Sequence, residues 1–149
     1  MKINKLVILI ICMLFSFNSI SEEIQMESSN MNIINNGNTI LADNAEIIIT
    51  KDKININSEK AEYDKIKNIV TFVNKVFFND KKNEIIIKSD FLRYERDKDL
   101  TYSKGKTELN ILENYDVSSE NIYFDRKLNK IFSKEETTIE DSENNIYIL

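Results

Sequence analysis

Carboxylates are the only side chains with acid–base reach that this sequence carries in quantity. Asp97 and Asp99 stand two apart within residues 95–99, and Glu135 and Glu136 are adjacent. Two such acids on one face of a cleft could act as general acid and base on a glycosidic bond, as in a carbohydrate-active β-helix enzyme. Here they are scattered through polar turn sequences, where a solvated surface is the expected place for them. An aspartate pair also opens a calcium loop, but no further ligands follow Asp97 and Asp99 at the required spacing. With no histidine anywhere, imidazole acid–base chemistry and histidine-activated nucleophiles are excluded. One cysteine, Cys12, cannot supply an ordinary zinc or copper ligand set. No glycine-rich phosphate loop exists, and a net charge of −5 argues against nucleic acid, whose binding needs clustered Lys and Arg. The expectation is a chain without catalysis, cofactor or metal. Its wealth of Ile, Asn and Lys also suits an AT-rich genome, so no single Asn or Lys is read as functional.

The apolar residues are more informative. After residue 22 no stretch reads as a long helix. Short runs rich in Ile, Val, Thr, Tyr and Phe recur, such as Ala45–Thr50, Ile69–Phe78, Glu84–Ser89, Thr107–Leu112 and Asn121–Asp125. They are separated by turn compositions at residues 35–38, 79–83, 96–99 and 141–144, where Asn and Asp tolerate left-handed backbone and bond their own main chain. Such a pattern indicates an all-β sandwich, barrel or solenoid. There is no proline to guard strand edges, which leaves that task to charged turns and lysines.

The runs repeat at about 30 residues, the mark of stacked structural units. Ser58, Ala61, Tyr63 and Asp64 are matched by Ser89, Leu92, Tyr94 and Glu95, and then by Ser119, Ile122, Phe124 and Asp125. Val70, Val76 and Phe78 correspond to Thr101, Thr107 and Leu109, and then to Ile131, Thr137 and Ile139. A degenerate copy lies upstream, with Ile33, Ile40 and Asn44 preceding Tyr63, Val70 and Asn74 by the same step. Because strand side chains alternate between faces, stacking the units aligns Ala61, Leu92 and Ile122 in one row. Tyr63, Tyr94 and Phe124 form a second, and Phe78, Leu109 and Ile139 a third. These rows could be ordinary core, or the wall of an apolar groove, or both if two sheets splay apart along one side.

The N-terminus addresses the chain for export. Lys2 and Lys5 precede an apolar run from Leu6 to Phe17, broken only by Ser16, and Ser19 and Ser21 sit at the −3 and −1 positions of a cleavage site before Glu22-Glu23. The run of about 12 residues is shorter than the roughly 17–25 a membrane-spanning helix needs. An uncleaved inner-membrane anchor is the alternative. Cys12 lacks the small residues that precede a lipoprotein cysteine. Cleavage after Ser21 leaves about 128 residues, takes the charge from −5 to about −7 and removes the only thiol. The mature domain, residues 22–149, then relies on apolar burial and not on disulfides.

Two segments, Ser58-Glu59-Lys60-Ala61-Glu62-Tyr63-Asp64 and Ser89-Asp90-Phe91-Leu92-Arg93-Tyr94-Glu95, resemble a recurring "A-x-x-A-x-Y-D" element. Asn74-Lys75-Val76, Gly105-Lys106-Thr107 and the stretch from Gly37 to Ala42 resemble the "G-N-V" element that follows it. Asn74 and Glu135 stand where that element has glycine. Together they make residues 26–149 similar to the OstA-like domain of bacterial lipopolysaccharide transport, found in the periplasmic bridge protein A and the N-terminal domain of the outer-membrane assembly protein D. The resemblance implies a twisted, open β-jellyroll of short antiparallel strands whose apolar interior carries the acyl chains of lipid A. It also implies stacking on other jellyroll domains by edge-strand pairing in the periplasm, with outer-membrane association as a further expectation. The groove candidates are Ile56, Ala61, Tyr63, Val76, Phe78, Ile87, Leu92, Tyr94, Leu109, Val117, Ile122, Phe124 and Ile139. Met31, Ile33, Ile146 and Ile148 are the candidates for edge pairing. The end of the sequence at Tyr147-Ile148-Leu149, in mid-strand, suits an assembly-protein fragment without its barrel as well as a bridge protein. A structural or adhesive β-solenoid with a sealed core is the competing reading.

Overall fold

The computed structural model describes residues 24–149; the expected signal peptide and Cys12 lie outside them. Among the described residues, thirteen antiparallel strands form one continuous, unclosed sheet. They are β1 (Ile24–Glu27), β2 (Asn30–Ile34), β3 (Thr39–Ile49), β4 (Ile54–Asp64), β5 (Ile69–Asp80), β6 (Ile85–Glu95) and β7 (Leu100–Ser103). β8 (Lys106–Ile111), β9 (Tyr115–Glu120), β10 (Tyr123–Asp125), β11 (Lys130–Phe132), β12 (Thr138–Asp141) and β13 (Ile146–Ile148) complete it. Among the described residues no helix is long and apolar enough to cross a membrane.

The strand registers divide this sheet into two limbs. The first halves of β3 and β5 pair with the second halves of β4 and β6, and this limb continues through β7 and β10 to β11, with β2 at its other edge. The remaining halves form the second limb, which runs from β1 through β8, β9 and β12 to β13. Each of β3 to β6 therefore crosses from limb to limb, and each is 11 or 12 residues long. The sequence shows shorter runs because a kink interrupts the alternation. Register shifts mark it between Asn57 and Lys60 and between Val73 and Val76, as a bulge bends and twists a strand.

The kinks explain the repeat. Asn44, Asn74 and Gly105, one period apart, all have positive φ (48°, 64° and 76°), the region that Gly and Asn enter most readily. On the partner strands the matched serines turn inward and bond across the bend. Ser58 Oγ donates to the Lys60 carbonyl at 2.9 Å, and Ser89 Oγ donates to that of Phe91 at 3.0 Å. Thr107 Oγ1 meets Ser103 Oγ at 2.8 Å, and Thr137 Oγ1 meets Ser119 Oγ at 2.9 Å. These bonds satisfy hydroxyls at the spine where the limbs meet.

On the opposite side lie the hairpin turns. In two of the three matched units the aspartate after the aromatic caps its turn: Asp64 Oδ1 accepts from the amides of Ile66 and Lys67, and Asp125 Oδ1 from that of Leu128, whereas Glu95 pairs with the Arg93 and Lys98 side chains. Asp80 and Asp141 do the same in the second limb. Each such turn leaves through a left-handed residue: Asn68, Glu84, Asn129 and Asn144. The inner faces of both limbs form one hydrophobic cluster that includes Phe72, Phe78, Leu92 and Phe124.

Candidate functional site

The expected rows exist, interleaved with residues of the intervening strands. Direct cross-strand neighbours in the first limb run Ile33, Ile40, Tyr63, Val70, Tyr94, Thr101, Phe124, Ile131, from edge to edge. In the second limb they run Met26, Ile47, Ile56, Phe78, Ile87, Leu109, Val117, Ile139, Tyr147. A third row joins Met31, Ala42, Ala61, Phe72, Leu92 and Ser103. Ile122 adjoins it, with its amide donating to Ser103 Oγ at 3.2 Å. Val76 lies at the spine, paired with Ser89.

Of the groove candidates, all but Tyr63 and Ile139 are buried in this chain. Along most of its length the interior is closed by its own side chains. Tyr63 is half-buried near the turn side, where its hydroxyl donates to Asn68 Oδ1 at 3.1 Å. The interior opens at the β11–β13 end. There Ile111, Val117, Ile122, Ile131 and Ile139 line a cavity of about 590 Å³, rimmed by Phe132, residues 133–137 and Leu149. That volume lies within the roughly 300–1,000 Å³ of small-molecule sites. Ile111 and Leu149 were not singled out by the sequence; their register beside Tyr115 and Thr137 is visible only once strands are paired.

The edge-pairing candidates stand on edge strands. Among the described residues, β2 pairs only with β3 and β13 only with β12. Ile33 is 58% exposed and Ile148 68%. Met31 and Ile33 belong to the inner rows, whereas Ile146 and Ile148 point to the outer face beside Glu140 and Thr138. At the C-terminal edge the inner positions belong instead to Tyr147 and Leu149.

The acidic turn at residues 95–99 is a solvated surface only in part: Asp97 and Lys98 are exposed as the sequence suggested, whereas Glu95 is buried and Asp99 half-buried. Asp99 Oδ1 accepts from Tyr94 Oη at 2.8 Å and from Arg126 Nη1. Asp97 accepts from Asn68 Nδ2 at 2.6 Å. Glu95 is buried, and hydrogen bonding from Lys98, opposed by burial and helped by Arg93, holds its carboxyl below the usual range. Glu95 and Asp99 are held by neighbouring turns and strands, which composition does not show, whereas Glu135 and Glu136 are exposed as expected.

Arg126 was not singled out at all. It sits in the β10–β11 turn of the first limb, yet its Nε donates to Asp80 Oδ2 of the second limb at 2.6 Å. Nη2 reaches the Asp52 carbonyl, also in the second limb, at 3.4 Å. Nη1 faces Tyr94 Oη and Asp99 in its own limb. The Arg126 and Asp80 side chains are 2% and 0% exposed. No motif announces a contact between residues 46 positions apart.

Fold and interior together define an open, two-limbed β-jellyroll with apolar inner rows and unpaired edge strands at both ends. Among solved structures it is similar to LptH, the LptA-homologous periplasmic component of the conserved lipopolysaccharide transport device from Pseudomonas aeruginosa. The TM-score is 0.67 over 86% of this chain and 94% of that one, at 10% sequence identity. No family model matches the chain, and no curated protein matches it. The all-β, open jellyroll that the sequence motifs implied is the fold observed.

Proposed function

We propose that residues 22–149 act as an exported periplasmic carrier segment that shields the acyl chains of lipopolysaccharide between its two limbs and hands them along a stack of similar jellyrolls. The continuity of the inner rows carries this reading. They run unbroken from the β1 and β2 edges to the β11 and β13 edges. The cavity at the β11–β13 end lies directly on them. A neighbouring domain adding its strands by backbone pairing would extend the rows past Ile131 and Tyr147 at one end, and past Ile33 and Met26 at the other. Each methylene moved from water into such a wall gains about 0.8 kcal/mol. The fold shared with LptH, itself a component of a lipopolysaccharide transport device, supports the same assignment. No reaction is assigned to the chain.

The closed middle of the interior favours a second reading, a structural β-solenoid with a sealed core. Photo-crosslinking in cells separates the two. A photoreactive residue at Ile139, in the open cavity, is expected to capture lipopolysaccharide, and one at the turn residue Lys98 is not. If Ile139, Ile122 and Tyr94 all fail to capture it in folded protein, the carrier reading falls and the sealed solenoid replaces it.

A further inference from the structure

The limbs are joined covalently at the kinked spine, whereas the turn side is a seam between two rows of hairpins. Within each limb, neighbouring turns are tied by backbone bonds: Arg96 to Asn68 and Arg126 to Asp99 in the first, Lys81 to Lys53 and Leu112 to Glu84 in the second. Arg126 crosses the seam, from the first limb to Asp80 and Asp52 in the second.

The position of Asp80 is informative. Its cross-strand row reads Ile24, Ile49, Ile54, Asp80, Ile85, Ile111, Tyr115 and Asp141, so Asp80 stands directly between two isoleucines, and of the two turn-capping aspartates in the row it is the one that is fully buried and meets an arginine. The carboxylate caps its own turn, a task that needs no arginine, and the ion pair with Arg126 adds little to a seam that stays shut, because a buried ion pair gives back most of its attraction in desolvation. The same pair loses little on opening, since guanidinium and carboxylate are both well solvated in water. The turn-capping bonds of Asp80 to the amides of Lys82 and Asn83 are local and do not cross the seam, so they hold the carboxylate in place independently of Arg126. Tyr94, in the first-limb inner row, lies directly behind the guanidinium.

We propose that Arg126 and Asp80 form a latch on the turn-side seam, and that acyl chains reach the closed middle of the interior laterally, when the latch releases, and not only through the ends. This rests on the carrier reading above and adds a gate to it.

The test uses purified chain with Cys12→Ser and a reporter Ile87→Cys, a buried inner-row position. Maleimide labelling of that thiol reads opening without any lipid. Arg126→Gln is expected to label at least about tenfold faster than the parent. Arg126→Leu combined with Asp80→Asn, which removes both charges and keeps an oxygen to cap the turn, is expected to label more slowly than Arg126→Gln. Gly105→Ala, a destabilising change at the spine, controls for global unfolding. In parallel, a photoreactive residue at Leu92 is exposed to purified lipopolysaccharide, with one at Ile139 as reference. Crosslinking at Leu92 that rises and falls with labelling across these variants supports the gate. Equal labelling in all latch variants, or acceleration no greater than in the Gly105 control, overturns it. Leu92 crosslinking indifferent to the latch while Ile139 still crosslinks also overturns it, and assigns entry to the ends. Failure at Ile139 as well brings down the carrier reading, and the gate with it.

Discussion

Thr101 carries a hydroxyl into an apolar row, directly between Tyr94 and Phe124, and its Oγ1 has no hydrogen-bond partner. A buried, unsatisfied polar atom costs about 1–3 kcal/mol, so Thr101→Val, which keeps the branched shape, should stabilise the chain by about 1 kcal/mol in urea unfolding. Tyr94 behaves differently because its hydroxyl is used. Burial first, then its bond to Asp99, raises its pKa well above the ordinary value of 10.0. The unfolded chain would lose that proton from about pH 10 upward while the folded chain keeps it, so unfolding releases a proton there and stability falls as pH rises. Unfolding curves between pH 9 and 11 should show this decline, and Tyr94→Phe should remove its share of the slope. A Tyr94→Phe variant as alkali-sensitive as the parent would rule the assignment out.

At the scale of the strand, the kink is the device that turns one long sheet into two facing limbs. Its geometry needs a left-handed residue once per period, supplied by Asn44, Asn74 and Gly105. A Cβ at Gly105 meets nothing within 4 Å, so the cost of Gly105→Ala is backbone strain alone, about 1–2 kcal/mol. Gly105→Asn should cost less, because Asn tolerates that region better. Equal losses for the two variants in thermal or urea unfolding would mean that the kink does not depend on residue type. The departures from glycine at Asn74 and Glu135 now separate: Asn74 still adopts the left-handed kink. Around Glu135 the chain between β11 and β12 is broken into a loop.

For the whole molecule, the two ends are the unfinished parts. Every residue of β2 is exposed, as is every residue of β13, so charges placed there cost the fold little while blocking strand addition. Ile33→Lys or Ile148→Lys should leave the unfolding midpoint within about 0.5 kcal/mol of the parent. Concentration-dependent end-to-end association in sedimentation velocity should be lost. Association that persists in a variant altered at both edges would show that copies meet elsewhere.

The 30-residue period, the alternation of apolar residues and the acidic residue that enters each turn were legible in the sequence because each is local. Alternation fixes which side chains share a face, and a capping carboxylate acts within four residues of itself. From these came the all-β class, the three rows and the turns at residues 35–38 and 96–99. Strand length was not legible, since a left-handed Asn at a kink reads the same as one in a turn. Neither was the state of the interior: the pattern of Tyr63, Tyr94 and Phe124 is identical for a sealed core and for an open groove, and only the approach of the two limbs buries Tyr94 and leaves Ile139 at a cavity. The Arg126–Asp80 ion pair was decided by tertiary structure alone. Two charged residues 46 apart carry no mark of pairing until the folding of one limb against the other removes both from water.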